Sequence, residues 1–181
     1  MKIAILGWGS LIWDPGELRF QSSWNPTGPL LPIEFSRKSS NDRLTLVLHP
    51  KQELQQTYWA LSDKAYLNEA ISALRHREKT SEKYIHYFSK NGTAHPGIEN
   101  YIKTNLEKWF GMNGDLDSVI WTGLPSNWEG AFTDEKAVDY LRDLIKQNRA
   151  ENAKNYIIKA PPLIRTKVRK RVEQEFGWFS Q

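Results

Sequence analysis

Ile3-Ala4-Ile5-Leu6-Gly7-Trp8-Gly9-Ser10-Leu11-Ile12-Trp13-Asp14 begins as an apolar run, breaks on two glycines and passes into a proline-rich stretch. One lysine precedes the run, the glycines interrupt it, and no small-residue cleavage pattern follows, so residues 2–6 read as a buried first strand and not as a secretory signal. Two glycines directly after a strand let the backbone turn tightly and bring its N–H groups against an anionic or carbonyl-bearing ligand. An ordinary β-turn is served by the same residues. A dinucleotide fingerprint is excluded, because Ile12 stands where a third glycine is needed and a proline-rich loop follows in place of a helix. A nucleophile elbow fails for a similar reason: Trp8 and Ile12 flank Ser10 where glycines are required.

Working outward, Pro15, Gly16, Pro26, Gly28, Pro29 and Pro32 make 14–32 a long structured loop. Residues 33–37, 44–49 and 57–61 then read as strands by length, β-branching and aromatic content. Three strands in quick succession imply a local antiparallel meander, and so a mixed or antiparallel sheet curled into a barrel. Ser62 or Asp63 is expected to cap a helix whose apolar positions Leu67, Ala70, Ile71 and Leu74 fall on one face. A strand over 84–88, a helix carrying Ile102, Leu106 and Trp109, and a strand over 119–123 follow. Thr133 then caps a helix packed through Ala137, Leu141, Leu144 and Ile145, and two more helices flank Pro161-Pro162. The expectation is one α+β domain over 1–181: a small barrel-like sheet flanked by helices, with 133–181 as a helical C-terminal extension.

Composition narrows the function. With 39% hydrophobic residues and eight tryptophans among 181 residues, the chain is far from the aromatic-poor signature of disorder. The absence of cysteine removes disulfides, thiolate metal sites and a cysteine nucleophile. No run of about 18 uncharged apolar residues exists, so no membrane partner and a cytoplasmic location are expected. Arg165, Lys167, Arg169, Lys170 and Arg171 crowd one segment, but Glu173 and Glu175 follow at once. That pattern reads as the solvated face of an amphipathic helix in preference to a nucleic-acid contact. His49, His76, His86 and His95 are scattered without ligand spacing, so no metal is expected, and His86 reads as a core or supporting residue of its strand. Oligomeric state has no signal in the sequence.

Extending the stripe Leu67, Ile71, Leu74 by four residues reaches Glu78, within Arg75-His76-Arg77-Glu78-Lys79. If the helix persists that far, the acid is partly desolvated and near the negative end of the helix dipole; both effects disfavour its charge and suit it to shuttling protons. If the helix ends at Arg75, Glu78 simply pairs with Arg77 or Lys79 in solvent. Glu129 is a weaker candidate acid, placed in a loop ahead of a capped helix.

A first strand ending in Gly-Trp-Gly-Ser-Leu-Ile-Trp, then a proline-rich loop, strands, and a helix closing in Arg77-Glu78 before Tyr84 together resemble the γ-glutamylcyclotransferase-like superfamily, and most of all its ChaC-type glutathione-specific branch. The superfamily's Tyr-Gly-Ser-Leu loop maps onto Trp8-Gly9-Ser10-Leu11, and its Arg-Glu onto Arg77-Glu78, over roughly the first half of the chain. Trp8 replaces the usual tyrosine and deletes a phenolic hydroxyl, Thr80-Ser81-Glu82-Lys83 stands where relatives often carry glycines, and the long C-terminal extension is unexpected. The resemblance implies a cyclotransferase, a lyase or acyltransferase releasing 5-oxoproline from a γ-glutamyl peptide or amine. Glu78 is then its general acid/base, Gly7, Trp8, Gly9, Ser10 and Leu11 its substrate-binding loop, and no cofactor is needed. Trp8 and Trp13 either wall the pocket or serve as ordinary core aromatics. The alternative on the same fold is a non-catalytic metabolite- or anion-binding module.

Overall fold

The computed structural model describes residues 1–180. In chain order its elements are β1 (Ile3–Gly7), β2 (Leu30–Lys38), β3 (Leu44–Leu48), β4 (Leu54–Gln56), β5 (Tyr58–Leu61), α1 (Leu67–Glu78), β6 (Ile85–Ser89), α2 (Asn100–Met112), β7 (Ser118–Thr122), α3 (Asp134–Lys146), α4 (Glu151–Lys159) and α5 (Lys167–Phe176). This is an α+β fold. Its strands form two open sheets, of four and three strands, and not a closed barrel. No helix among the described residues is long and apolar enough to cross a membrane. The chain divides into two compact units, Met1–Gly7, Asp14–Leu31 and Gln56–Leu124 making the first, and Trp8–Trp13, Pro32–Gln55 and Pro125–Gln181 the second.

The first unit is built on the sheet β5-β1-β7-β6. Every residue of β1 is buried, which fits an interior strand parallel to β7 on one side and antiparallel to β5 on the other. The expected meander is corrected here. Its third strand, β5, pairs with β1, setting Ile5 opposite Ala60 and Gly7 opposite Tyr58, because a buried strand distant in sequence offers an edge that local succession does not reveal. The expected cap is corrected as well. Ser62 continues that ladder by donating its N–H to the Ile3 carbonyl (2.9 Å), and α1 starts only at Leu67, after Tyr66 and without a side-chain cap. Helix α1 buries Ala70, Ile71 and Leu74, and α2 buries Ile102, Leu106, Trp109 and Phe110. The Trp109 indole donates to the Thr27 carbonyl (2.8 Å), which ties down the proline-rich loop.

A histidine pair lies in the same unit. The His86 ring on β6 stacks on His95 with centroids 4.3 Å apart and meets Trp121 edge-on at 5.9 Å. Gly123 is confined by that ring, since a Cβ there would fall 2.5 Å from His86 Cε1. Burial first, and then the neighbouring His95, pull the His86 pKa down to about 4.

The second unit carries the sheet β3-β2-β4 and helices α3, α4 and α5. Strands β2 and β3 are antiparallel, with an irregularity between Phe35 and Arg37. Thr133 and Thr166 cap α3 and α5, accepting from the N–H groups of Lys136 and Arg169. Ile145, expected on the packed stripe of α3, is exposed; Ala137, Val138, Leu141 and Leu144 fill it.

The basic segment is also corrected at one position: Arg169 is buried. Its guanidinium donates to the carbonyls of Ile157 (3.0 Å), Ala160 (2.9 Å) and Pro161 (2.7 Å), closing the C-terminal end of α4, and it lies 5.5 Å from the Phe35 ring centroid. The neighbouring cations have carboxylate partners: Arg165 pairs with Glu173, Arg171 with Asp134 and Glu135, and Lys167 and Lys170 with Glu53. Buried Glu34 accepts from the Phe35 N–H (2.7 Å) and faces the first turn of α5, and burial holds its pKa above the ordinary carboxylate value.

Two predictions follow from this packing. Arg169→Met leaves three helix-end carbonyls without their donor and lowers stability by about 3–5 kcal/mol in urea denaturation; an unchanged midpoint would contradict the clamp. His86 binds its proton near pH 4 when folded and near 6.5 when unfolded, so the unfolded chain holds more protons between those values. Thermal stability therefore falls as pH drops through that window, and His86→Gln flattens the fall; an equal slope in wild type and variant would rule it out.

Candidate functional site

The predicted site residues fall into two sets, one in each unit. In the second unit, the turn after β1 is closed by the Ile12 N–H on the Gly9 carbonyl (3.0 Å), a bond that engages none of the N–H groups of Gly9, Ser10 or Leu11. Trp8 and Leu11 are buried, and the Trp8 indole donates to the Leu46 carbonyl (3.2 Å), so this tryptophan anchors the turn to β3. Trp13 is half-buried and meets Tyr156 edge-on at 5.3 Å; Phe35 meets the same ring at 6.3 Å.

The reason for glycine at position 9 is space and not backbone freedom. The positive-φ glycines are Gly16, Gly92, Gly130 and Gly177. A Cβ on Gly9 would lie 2.2 Å from the Tyr156 hydroxyl oxygen and 3.3 Å from Cζ, so the phenol occupies the place of a side chain. Tyr156 lies on α4, inside the segment read from sequence as a helical extension. Its helical period signals only a core face, and nothing in the sequence connects it to residue 9.

In the first unit, Gly7 closes β1 opposite Tyr58, and Glu78 is the last residue of α1. The helix does persist to the acid. Lys79 then adopts the left-handed conformation at φ 49° and donates its N–H to the carbonyls of Arg75 and His76, which terminates the helix. Glu78 is sheltered, its side chain 15% exposed, and ion-paired with Arg77, itself 11% exposed. Each sequence-based alternative for this acid therefore holds in part, since the helix reaches Glu78 and yet Arg77 is its partner. The Arg77 guanidinium also donates to the carbonyl of Asp14, the first residue beyond the turn. Both chain neighbours of the turn, Gly7 and Asp14, thus belong to the unit that carries Glu78. The Arg77-Glu78 dipeptide was visible in the sequence, but the grip on Asp14 was not. Glu129 is exposed.

Chemically, the first set offers a sheltered carboxylate with a fixed guanidinium beside it, and the second a turn with outward amides, a phenolic hydroxyl and an aromatic wall. Comparison of the chain with protein-family models, curated proteins and solved structures returned no match.

Gly9→Ala is expected to destabilise the protein by about 1–3 kcal/mol, because a methyl group must displace the buried phenol. Adding Tyr156→Phe to that variant removes the nearest atom and recovers part of the loss, a coupling that urea denaturation of the double-mutant cycle measures. Additive single effects would show that the two positions do not meet.

Proposed function

We propose that the protein is a cyclotransferase that releases 5-oxoproline from a γ-glutamyl peptide or amine. The observation that carries this reading is the sheltered Glu78 carboxylate, held by an arginine that also grips Asp14, the residue ending the glycine turn. The order of glycine turn and helix-terminal Arg77-Glu78 along the chain, and its resemblance to the γ-glutamylcyclotransferase-like superfamily, support it.

In this reading the substrate's α-amino nitrogen attacks its own γ-carbonyl carbon. Glu78 accepts the proton from that nitrogen as the new C–N bond forms, then returns it to the departing amine nitrogen as the old C–N bond breaks. The products are the lactam 5-oxoproline and a free amine, so atoms and protons balance with no added reagent. Amides of the turn bind the substrate carboxylate or the oxyanion that develops on the carbonyl, a contribution of several kcal/mol in a site sheltered from water. Because nucleophile and electrophile belong to one molecule, holding the cyclising conformer supplies much of the acceleration.

The test is to incubate the protein with glutathione, γ-glutamyl dipeptides and γ-glutamyl amines and measure 5-oxoproline. Wild type is expected to turn over at least one of them, and Glu78→Gln to lose about 10²–10⁴-fold in kcat while keeping its fold. Inactivity on all three classes, or full activity of Glu78→Gln, refutes the proposal.

A further inference from the structure

We infer that Arg43 and the Tyr156 hydroxyl, together with the turn at residues 8–13, form a recognition site for the free carboxylate of a small molecule. The identity of that carboxylate rests on the cyclotransferase reading, under which it is the α-carboxylate that substrate and 5-oxoproline share. Every residue involved lies in the second unit.

The first support is the arginine itself. Arg43 sits at the end of the turn joining β2 to β3, where its carbonyl accepts from the Ser39 N–H (2.9 Å) and its N–H donates to Ser39 Oγ (3.2 Å). Its Nε donates to Asn41 Oδ1 (2.9 Å), and its guanidinium carbon stands 5.8 Å from the Tyr156 ring centroid. Arg77, Arg142, Arg149, Arg165 and Arg171 all pair with carboxylates, whereas among the described residues no carboxylate pairs with Arg43. A planar guanidinium fork matches a carboxylate in two parallel hydrogen bonds, and Arg43 keeps its terminal nitrogens for that.

The second support is that the group is built rigidly. The hairpin turn carrying Arg43 is fastened to α4 and the turn preceding it: Arg149 pairs with Asp42 (2.8 Å), and Asn152 donates to the Asn41 carbonyl (3.0 Å). Helix α4 also carries Tyr156, whose ring is fixed by Trp13 and Phe35 and whose hydroxyl lies against Gly9. A cation, a phenol and turn amides are therefore held by one braced set of elements, the preorganisation that carboxylate binding needs. Ser10, Ile12 and Trp13 are partly exposed, which leaves this side of the turn open to a ligand.

The experiment is calorimetric titration with 5-oxoproline and with 2-pyrrolidinone, the same lactam without its carboxylate. Wild type is expected to bind 5-oxoproline at least ~10-fold more tightly than 2-pyrrolidinone. Arg43→Met and Tyr156→Phe each weaken 5-oxoproline by about 10-fold and shrink the difference between the two ligands, and Arg43→Lys restores part of it. Failure of wild type to bind 5-oxoproline, equal binding of the two ligands, or full discrimination in both variants overturns the inference. The two readings fail separately. Carboxylate-dependent binding without 5-oxoproline release from any γ-glutamyl compound sinks the cyclotransferase and leaves this site standing. Turnover with an unchanged KM in Arg43→Met and Tyr156→Phe does the reverse.

Discussion

Three carbonyls at the end of α4 and one guanidinium from α5 are sealed in the interior of the second unit, and neither side has water to turn to. A helix end stripped of solvent must find donors or lose several kcal/mol, and Arg169 is the donor. The cation in turn keeps its charge under burial, with its pKa lowered only to about 10, by resting among those oxygens and near the Phe35 ring. Glu34, on the strand that carries Phe35, faces the first turn of the same α5 that supplies the arginine. Strand β2, α5 and α4 are thereby locked in sequence, and the position of Tyr156 against Gly9 is what the lock delivers.

Arginines serve a second purpose in the first unit. Arg77 occupies the last turn of α1, where a cation complements the helix dipole, and its side chain spans from Glu78 to the backbone of Asp14. Fixing both ends of one guanidinium restrains the carboxylate to one orientation, a condition that proton transfer at a defined nitrogen demands. The same contact restrains the chain where it leaves the glycine turn. The helix-terminal acid and the turn are thus linked through the backbone, whichever ligand they serve.

Periodicity and capping chemistry made most elements legible. The stripe Leu67, Ile71, Leu74 predicts α1 and carries it to Glu78, and Thr133 caps α3 as its hydroxyl chemistry requires. Strand pairing was less legible. The segment at 57–61 has strand character, but nothing local says that it pairs with β1 and leaves β2 and β3 to a separate sheet. Ser62 has the chemistry of a cap and is drawn instead into that ladder, where the Ile3 carbonyl takes its N–H. The basic run reads as solvent-facing because charge favours water, and Arg169 departs from the rule where helix-end carbonyls replace that water.

By itself the chain of residues determined the α+β class, the buried first strand with its glycine turn, and a carboxylate at the end of the first long helix. Those features depend on neighbours a few positions apart, which hydrophobic period and cap residues encode directly. Only the tertiary structure decided why residue 9 is glycine, which arginine grips Asp14, and which one stands beside the Tyr156 ring without a carboxylate partner. Each of these is a meeting of groups dozens of residues apart, fixed by packing and by the need to satisfy buried polar atoms, and local patterns carry no record of such encounters.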